Sequence, residues 1–519
     1  MDCYPRFPQR RIHRLDGLWD LACLSGADIA TVDVDYIRYQ ERVAVPGCLD
    51  QLGYTPSGQG VAAFRCMLDA RGGAVLRGDC LQPGTRVFVD GQRLQLSGQA
   101  PWQASVAPSA DGHERELVLL VPWTSGTGSI GVPGAVQWHE VGAWWLDGLD
   151  LCQLACDGTA SVRLRCAGQA PPQIDCFVSV DGGPEQVVPE VALNHGAACF
   201  TVLVPDASPW QPEGPNLHLI RVRVGAEEIE QRFGFAAIRC GDGMLYCNDA
   251  VLHLRLCDWH GEHPAFGRAL PLAQLRADLA LVQGLGCNAL RLHCDRLEPR
   301  LLDLCDELGV VVVLEAAGWD QPNVPRSMAA VIAETAEAMQ RAAAHACVIA
   351  YAVPYLAAQG AAGMGFSDQL TRRLRDLLPP RPVVVTWDGC GPVPDQGDAI
   401  VLEPDQAIGD EDPAEWLQAH LLRAGNDGRP VVVAGVGSSG RLGWRGRGGE
   451  EAQAESLEQL CAAAVAEPRL AGLGLASLSD HLDANGVPIE TGCFDRYRQP
   501  KLAAAAVRRC WLRGERALA

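Results

Sequence analysis

Eight short apolar runs, spaced along the second half of the chain, constrain its fold more than any other feature. The runs are 251–259, 287–294, 309–316, 347–354, 382–389, 399–404, 429–437 and 472–480. Segments with helical periodicity separate them, for example 272–285, 299–309 and 328–346. A strand that is apolar along its whole length is buried on both faces, which is typical of a parallel sheet.

Strands that alternate with helices in this way predict one of two folds. Eight such units within residues 240–519 fit a (β/α)8 barrel, in which helices surround a closed parallel sheet. A doubly wound open sheet is the alternative, but it usually needs fewer units, and no GxGxxG motif follows the first run. The barrel is therefore the prediction for this part of the chain.

The first half of the chain has the pattern of β-sandwiches. Residues 1–155 alternate short apolar stretches, such as 86–96 and 116–123, with turns rich in glycine and proline. Residues 156–239 continue this pattern with enough stretches for about seven strands. A length of 519 residues is too great for one core, so we predict three domains divided at these positions.

Composition excludes several classes of function. The formal net charge of −20 argues against nucleic-acid binding and against anionic membranes, because both need a basic surface. No stretch approaches roughly eighteen uninterrupted apolar residues, and the first residues lack the apolar segment of a secretion signal. The 21 cysteines are scattered without a CxxC pair, so we expect reduced thiols in a cytoplasmic protein. We expect no cofactor.

Polar residues stand where the predicted barrel strands end. In a (β/α)8 barrel the carboxyl ends of the strands meet at one face, the barrel mouth, where active sites lie. Carboxylates at the ends of four runs should point towards this mouth, namely Glu315, Asp388, Glu403 and Asp480. Two of them at a suitable separation would form an acid–base pair; the alternative is that they form salt bridges.

The loop after the first run contains residue types that bind metals, His260, Glu262 and His263. An HxxH spacing without a helix is not specific for zinc. We therefore expect no metal.

Several short motifs occur along the chain, and their order is informative. They are LDGLWD (15–20), VPG (45–47), AFR (63–65), VFVDG (87–91), VGAWW (141–145), RFGFAAI (232–238), LRLCDWHGEHP (254–264), NALR (288–291), LLDLCDELGVVVVLEA (301–316) and GCFDRYRQPK (492–501). Together they resemble glycoside hydrolase family 2, the family of β-galactosidases, β-glucuronidases and β-mannosidases. The resemblance covers nearly the whole chain and implies an N-terminal jelly-roll β-sandwich, an immunoglobulin-like β-sandwich and a C-terminal (β/α)8 TIM barrel.

The resemblance also implies where the catalytic residues should stand. The family is retaining, with one glutamate as acid/base at the end of strand four and a second as nucleophile at the end of strand seven. The matching positions here are Leu356 and Gly435. Ala476 replaces the tryptophan that would form the floor of the sugar site. Leucine and glycine can neither protonate a leaving group nor attack a sugar, so we predict a catalytically degenerate protein.

Other residues match the scaffold around the sugar. They are His260, Arg291 and Glu315, joined by Asp258, where the family has asparagine, and by Asp480 after strand eight. We predict that these five residues bind a substrate. The alternative is that Arg291 and Glu315 form a buried ion pair and that His260 is a structural loop residue.

Three functions fit this pattern. The leading hypothesis is a family 2-like pseudoenzyme that keeps a carbohydrate- or protein-binding role. An active O-glycosidase would instead use relocated carboxylates at the barrel mouth. A structural subunit would cover the mouth with a protein partner or a second copy of the chain.

We also expect the barrel mouth to be acidic. At least one of its carboxyl groups should have a raised pKa, unless Arg291 or the loop arginines Arg441, Arg445 and Arg447 neutralise the cluster. A ligand of such a mouth would be a neutral or cationic polyhydroxylated molecule.

Overall fold

A computed structural model of the chain describes two β-sandwich domains followed by a closed barrel. The described residues are 3–54, 57–70, 72–98, 101–109, 114–124, 130–154, 158–317, 327–378, 381–403, 412–425, 427–483 and 486–518. The fold prediction of a multidomain protein, rich in β-structure and ending in a TIM barrel, is confirmed.

The first sandwich consists of two antiparallel sheets. Its strands are β1 (Ile12–Arg14), β2 (Gly17–Ser25), β3 (Glu41–Val45), β4 (Gly47–Cys48), β5 (Gly60–Leu68), β6 (Ala74–Gly78), β7 (Arg86–Val89), β8 (Gln92–Arg93), β9 (Trp102–Val106), β10 (Arg115–Trp123), β11 (Gly131–Val132) and β12 (Val136–Glu140). One sheet has the order β1-β12-β6-β9 and the other the order β3-β2-β5-β10-β7-β8. Their inner faces bury large apolar side chains such as Trp19, Phe64 and Trp138, which form the core of the domain.

The second sandwich begins before the predicted boundary at residue 156. Its strands are β13 (Trp144–Leu154), β14 (Thr159–Gly168), β15 (Gln173–Val180), β16 (Gln186–Asn194), β17 (Ala197–Leu203), β18 (Trp210–Gln211), β19 (Gly214–Pro215), β20 (His218–Val224) and β21 (Glu227–Phe233). Seven of them pair in the order β13-β14-β17-β16-β15-β20-β21, around a core that includes Leu164, Val222 and Phe233. Strand β13 pairs with β14 along its length and so belongs to this sheet.

The barrel closes through eight parallel strands. Three short strands precede it, β22 (Ile238–Gly241), β23 (Met244–Cys247) and β24 (Ala250–Val251). The barrel strands are β25 (Leu254–Asp258), β26 (Ala289–His293), β27 (Val311–Glu315), β28 (Val348–Pro354), β29 (Val383–Trp387), β30 (Ala399–Leu402), β31 (Val431–Val436) and β32 (Leu470–Leu475). Strand β25 pairs with both β26 and β32, which closes the sheet. Seven of these strands lie within the apolar runs, and β32 begins two residues before its run, 472–480.

Helices surround this barrel. They are α1 (Leu272–Leu285), α2 (Pro299–Leu308), α3 (Met328–Ala342), α4 (Gly360–Leu377), α5 (Pro413–Ala424), α6 (Glu450–Ala466) and α7 (Leu502–Leu518). The connection from β29 to β30, residues 388–398, is fully described and contains no helix, so the helix expected after the fifth barrel strand is missing. The remaining described elements are short. They are the 3-10 turns Val34–Tyr36, Asp50–Leu52, Cys294–Arg296 and Ala357–Gln359 and the strands β33 (His481–Leu482) and β34 (Pro488–Ile489).

The second sandwich is attached to the barrel by a buried polar contact. Trp210 is fully buried, and its indole N–H donates to the backbone carbonyl of Asp306 in α2 over 2.9 Å. The same helix receives Arg232 of β21, whose guanidinium lies 3.1 Å from Asp303. These contacts orient the sandwiches against the outer side of the barrel.

Two further properties concern the chain as a whole. Every cysteine whose side chain the structure describes is a free thiol, as expected from the sequence. Among the described helices, none combines the length and the apolar character that crossing a lipid bilayer demands.

Candidate ligand site at the barrel mouth

Arg291 is the centre of a charged cluster at the carboxyl ends of the barrel strands. It lies in β26, beside Asp258 at the end of β25, and the two residues are neighbours in the strand register. Its Nε donates to Asp258 Oδ1 over 2.8 Å, and its Nη2 donates to Asp258 Oδ2 over 2.5 Å. Both side chains are buried, so this is a charge-assisted pair shielded from water.

The same guanidinium holds a second carboxylate from the opposite side of the barrel. Glu403 directly follows β30, and its Oε2 and Oε1 accept from Arg291 Nη1 and Nη2 over 3.0 and 2.7 Å. The Glu403 side chain is 40% exposed, against 4% for that of Arg291. Glu403 is therefore accessible to solvent, whereas Arg291 is not.

A third carboxylate, Glu315 at the end of β27, completes the cluster. Its Oε2 lies 3.5 Å from Arg291 Nη1 and 4.0 Å from His293 Nδ1. His293 was not among the predicted site residues; it joins the cluster because it is the register partner of Glu315 in the pairing of β26 with β27.

Burial and neighbouring charges shift the pKa values of Asp258 and Glu403 in opposite directions. Burial, reinforced by the charges of Glu403 and Glu315, raises the pKa of Asp258 to about 6, although Arg291 opposes this shift. Burial also acts to raise the pKa of Glu403, but the charge and hydrogen bonds of Arg291 outweigh it and lower that pKa below its usual value. Three carboxylates face one guanidinium, so the cluster is acidic, as expected, and one carboxyl has the expected raised pKa.

Position 435 lies against this cluster. Gly435 in β31 has φ +66°, and a Cβ built on it would lie 2.6 Å from Glu403 Oε1. The Glu403 carboxylate thus fills the space that a side chain at 435 would enter.

Position 356 follows β28 and has a packing role. Leu356 is partly buried against the barrel core. Its backbone N–H lies 3.4 Å from the hydroxyl of Ser367 in α4. The start of α4 packs closely onto Leu356. A Cβ added to Gly363 of this helix would lie 2.8 Å from Leu356 Cβ.

Three of the predicted site residues have other partners. Asp388 caps its own turn, because its Oδ1 accepts from the backbone N–H of Cys390 over 2.8 Å. Asp480 accepts from Lys501 Nζ over 3.0 Å and from the backbone N–H of Gly492 over 2.9 Å. His260 stacks on His481, with ring centroids 3.6 Å apart and an angle of 17° between the rings. Lys501, the only lysine in the chain, was not among the predicted site residues.

The loop arginines do not enter the described contacts of the cluster. Arg441 pairs with Glu490 over 2.9 Å and lies above the ring of Trp444. Arg291 is thus the cation that neutralises part of the mouth.

A second group of metal-binding residue types lies away from the mouth, formed by Asp303, Asp306 and His345. Its three residues already have protein partners. His345 Nδ1 lies 2.6 Å from Asp306 Oδ2, and the other Asp306 oxygen accepts from the backbone N–H of Cys347 over 2.8 Å. Asp303 pairs with Arg232, so the group serves as an anchor between the second sandwich and the barrel.

Comparison with known proteins defines the class of this barrel. Residues 238–434 match the family model described as glycosyl hydrolases family 2, TIM barrel domain. The match ends one residue before Gly435. Over these residues the chain is a TIM barrel domain of glycosyl hydrolase family 2, as the motifs in this part of the sequence indicated.

Curated relatives are similar over part of the chain. A β-galactosidase of Arthrobacter sp. (strain B7) is 30% identical over 183 residues, which is 33% of this chain and 18% of that protein. A β-galactosidase of Kluyveromyces lactis is 31% identical over 123 residues, which is 22% of this chain and 12% of that protein. The matched stretches thus span less than a fifth of the length of these relatives.

Solved structures are similar over the whole chain. The galacturonate-bound GH2 β-galacturonidase of Eisenbergiella tayi has a TM-score of 0.86 and 21% identity, and the alignment covers 98% of each chain. A β-glucuronidase from an uncultured Clostridium sp. has a TM-score of 0.81 and 17% identity, with 99% of each chain covered. At these identities the likeness establishes the three-domain fold.

Proposed function

We propose that this family 2 member binds a carbohydrate at its barrel mouth and does not hydrolyse β-glycosides by the two-glutamate retaining mechanism. The arrangement around Arg291 carries the proposal. One guanidinium holds Asp258 and Glu403 by paired hydrogen bonds and lies 3.5 Å from Glu315. Ionised carboxylates with fixed orientation are strong acceptors for sugar hydroxyl groups.

The missing component is a group that protonates the leaving oxygen. The resemblance places this acid at position 356, which is leucine. Glu403 is unsuited to the role at neutral pH because its pKa is lowered by Arg291, against the effect of burial. Asp258 has a pKa raised to about 6 by burial, but both of its oxygens accept from Arg291. Natural glycosides, whose leaving groups are poor, should therefore remain intact.

The charge of the cluster selects the class of ligand. Asp258, Glu315 and Glu403 contribute three negative charges against the single positive charge of Arg291. A uronate would add a further negative charge, and Coulomb repulsion at short range would weaken its binding. We therefore favour a neutral sugar or an amino sugar, with Glu403 as its principal hydrogen-bond acceptor because it is the most exposed of the three carboxylates.

One observation favours a second candidate function. The Glu403 carboxylate occupies the space beside Gly435, the position where the resemblance places the nucleophile. Arg291 lowers its pKa and so keeps it ionised, as a nucleophile needs to be. In this case the protein would act as a glycosidase with a nucleophile relocated from β31 to the end of β30.

Two measurements separate these candidates. The first is titration calorimetry with galactose, mannose, glucosamine and galacturonate. Glu403→Gln should weaken sugar binding roughly tenfold or more, since hydrogen bonds to charged groups contribute about 1.5–3 kcal/mol. Asp388→Asn is the matched control, because Asp388 ends a neighbouring strand but caps only its own turn, and its variant should bind as the wild type does.

The second measurement is the release of dinitrophenol from activated aryl β-glycosides, which need no acid catalyst. Release by the wild type that is lost in Glu403→Gln would support the relocated nucleophile. No release, together with sugar binding, supports the binding protein. If no sugar in the panel binds and Glu403→Gln changes nothing, the carbohydrate proposal is wrong, and a protein partner or second copy of the chain becomes the occupant to seek by pull-down.

A further inference from the structure

Three exposed aromatic rings lie in the loops around one side of the barrel mouth, those of Phe266, Trp444 and Tyr497. Each ring lies between the carboxyl end of a barrel strand and the helix that follows it. The connections run from β25 to α1, from β31 to α6 and from β32 to α7. Because β31, β32 and β25 are consecutive neighbours in the closed sheet, their connections adjoin one another at the mouth. The three rings are called here the aromatic rim.

Two of these connections begin at the candidate site itself. Asp258, which is paired with Arg291, is the last residue of β25. Gly435, which lies against Glu403, is the last residue but one of β31. The loops after strand ends form the walls of a site at a barrel mouth. A ligand that is held by Glu403 and extends beyond the mouth on this side would therefore meet the aromatic rim.

Contacts between the connections hold the rim in place. Arg441 Nε donates to Glu490 Oε2 over 2.9 Å, and the backbone N–H of Gly440 donates to the backbone carbonyl of Glu490 over 2.9 Å. These bonds join the connection after β31 to the connection after β32. Arg498 Nη2 donates to the backbone carbonyl of Glu262 over 2.8 Å, which joins the connection after β32 to the one after β25. Loops arranged in advance lose less conformational entropy when a ligand binds.

Each ring of the rim has a planar polar group beside it. The imidazole of His263 stacks on Phe266 with centroids 5.1 Å apart and meets Tyr497 edge-on at 6.0 Å. The guanidinium of Arg441 lies 5.7 Å from the centroid of the Trp444 ring. Trp444 is nevertheless 53% exposed and Tyr497 62% exposed. Aromatic side chains that are held by neighbours and still accessible to solvent are characteristic of binding surfaces.

This mixture of rings and polar groups favours a carbohydrate over a protein as the occupant. A sugar presents C–H bonds on the face of its ring, which pack on an aromatic side chain, and hydroxyl groups at its edge, which need donors and acceptors. The rim and its connections supply both. A second copy of the chain would instead need an interface of about 800 Å² on each partner with few charges at its core. The connections of the rim carry the ion pairs Arg441–Glu490 and Arg496–Glu262, which fit such a core poorly.

We propose that the aromatic rim binds sugar units of an oligosaccharide, beyond the unit that is held at the barrel mouth. This inference rests on the proposed carbohydrate function and specifies its ligand as a chain of neutral or amino sugars, not a monosaccharide. Trp444 and Tyr497 are its principal platforms, because they are the most exposed of the three rings. The ion pairs beside them carry equal numbers of positive and negative charges, which agrees with a ligand that is not an acid.

The test compares β-linked tetrasaccharides of galactose, mannose and glucosamine with the three monosaccharides, by calorimetry on the full chain. One tetrasaccharide should bind at least about tenfold more tightly than its monosaccharide. Trp444→Ala and Tyr497→Ala should each weaken tetrasaccharide binding by roughly three- to tenfold and change monosaccharide binding less than about twofold. Trp444→Phe keeps a ring and should retain most of the affinity. Tyr36→Ala is the matched control, because Tyr36 is 83% exposed on the first sandwich, and its variant should bind as the wild type does.

Two results would overturn the inference and leave the proposal for the mouth standing. One is a tetrasaccharide that binds no more tightly than its monosaccharide. The other is tetrasaccharide binding that is unchanged in Trp444→Ala and Tyr497→Ala proteins, which circular dichroism shows to be folded.

Glu403→Gln separates the rim from the mouth. Tetrasaccharide binding that is weakened by Trp444→Ala but unchanged in Glu403→Gln would support the rim and contradict the proposal for the mouth. If none of the six sugars binds, both proposals are wrong. Sedimentation of the wild type and of Trp444→Ala tests the remaining occupant. A dimer that this substitution dissociates would overturn the inference, because a second copy of the chain would then cover the rim.

Discussion

Glu403 places its carboxylate where any side chain at position 435 would have to project. The two residues belong to the neighbouring strand ends of β30 and β31, and a Cβ on Gly435 would lie 2.6 Å from Glu403 Oε1 and 2.9 Å from its Cγ. Gly435 also has φ +66°, a conformation that residues with a side chain adopt at a cost. The absence of a side chain at 435 and the position of the Glu403 carboxylate therefore depend on each other.

Introducing a glutamate at position 435 should therefore destabilise the protein. Gly435→Glu combines a strained backbone, a steric conflict and a second carboxylate beside Glu403. We expect the free energy of unfolding to fall by about 2–4 kcal/mol, from the usual costs of backbone strain and overpacking. Urea denaturation followed by circular dichroism measures the change.

A double-mutant cycle separates the causes of that loss. Gly435→Ala should destabilise more in the wild type than in the Glu403→Ala background, because only the steric conflict disappears with Glu403. The strain at φ +66° remains in both backgrounds. Equal losses in the two backgrounds would contradict the contact between these residues.

Removal of Arg291 should be among the most damaging single changes in the barrel. Arg291→Met leaves Asp258, Glu315 and Glu403 close together without a cation, and breaking a buried ion pair typically costs about 3–5 kcal/mol. Because Arg291 acts to lower the pKa values of Asp258 and Glu403, these two values should then rise, and the loss should be smaller in mildly acidic buffer than in neutral buffer. Denaturation at both pH values tests this expectation. Arg223→Met is the control and should cost at most about 1 kcal/mol, because its ion pair is exposed.

Most of the barrel could be predicted from the sequence because its strands are buried on both faces and its helices have clear ends. The segment 272–285 coincides with α1, and Gly286 after it adopts the left-handed conformation that ends the helix. The absence of a helix between β29 and β30 was not predicted. A helix was expected in residues 388–398 only because strands and helices alternate regularly in this fold. Strand β13 lies within the range assigned to the first sandwich, although it pairs with β14 of the second, because sheet partners cannot be read from local alternation.

The composition of the candidate site was predicted better than its contacts. Arg291, Glu315 and Asp258 were recognised individually, and an ion pair between Arg291 and Glu315 was anticipated. The hydrogen bonds of Arg291 to Glu403, 112 residues later in the chain, depend on how two strands face each other across the barrel. No periodicity in the sequence contains that information. The unusual signal available was the single lysine, Lys501, whose rarity could have marked it as a partner for a buried acid.

Asp79 should make stability depend on pH. Burial, with the charge of Glu298 and against the charge of Arg300, raises its pKa to about 7. A carboxyl with a folded pKa above the unfolded value binds more protons in the native state, so stability should fall as pH rises from about 4 to about 7. Asp79→Asn keeps an acceptor for the N–H of Ala135 and should flatten this fall. Denaturation between mildly acidic and neutral pH tests the slope; an unchanged slope in the variant would show that another group is responsible.

Lys501 should be protected from amine-reactive reagents in the native protein. Its side chain is 4% exposed, and its ammonium donates to Asp480 over 3.0 Å and to the backbone carbonyl of Glu490 over 2.9 Å. A succinimidyl ester should modify Lys501 rapidly in urea and at least about tenfold more slowly under native conditions, where reaction requires local opening. The chain has no other lysine, and peptide mass spectrometry distinguishes a label on Lys501 from one on the α-amino group of the chain. Asp480→Asn removes the ion pair and should increase the native labelling rate, whereas Asp388→Asn should leave it unchanged. Native labelling of Lys501 as fast as in urea would show that the closing segment is not packed against the barrel as described.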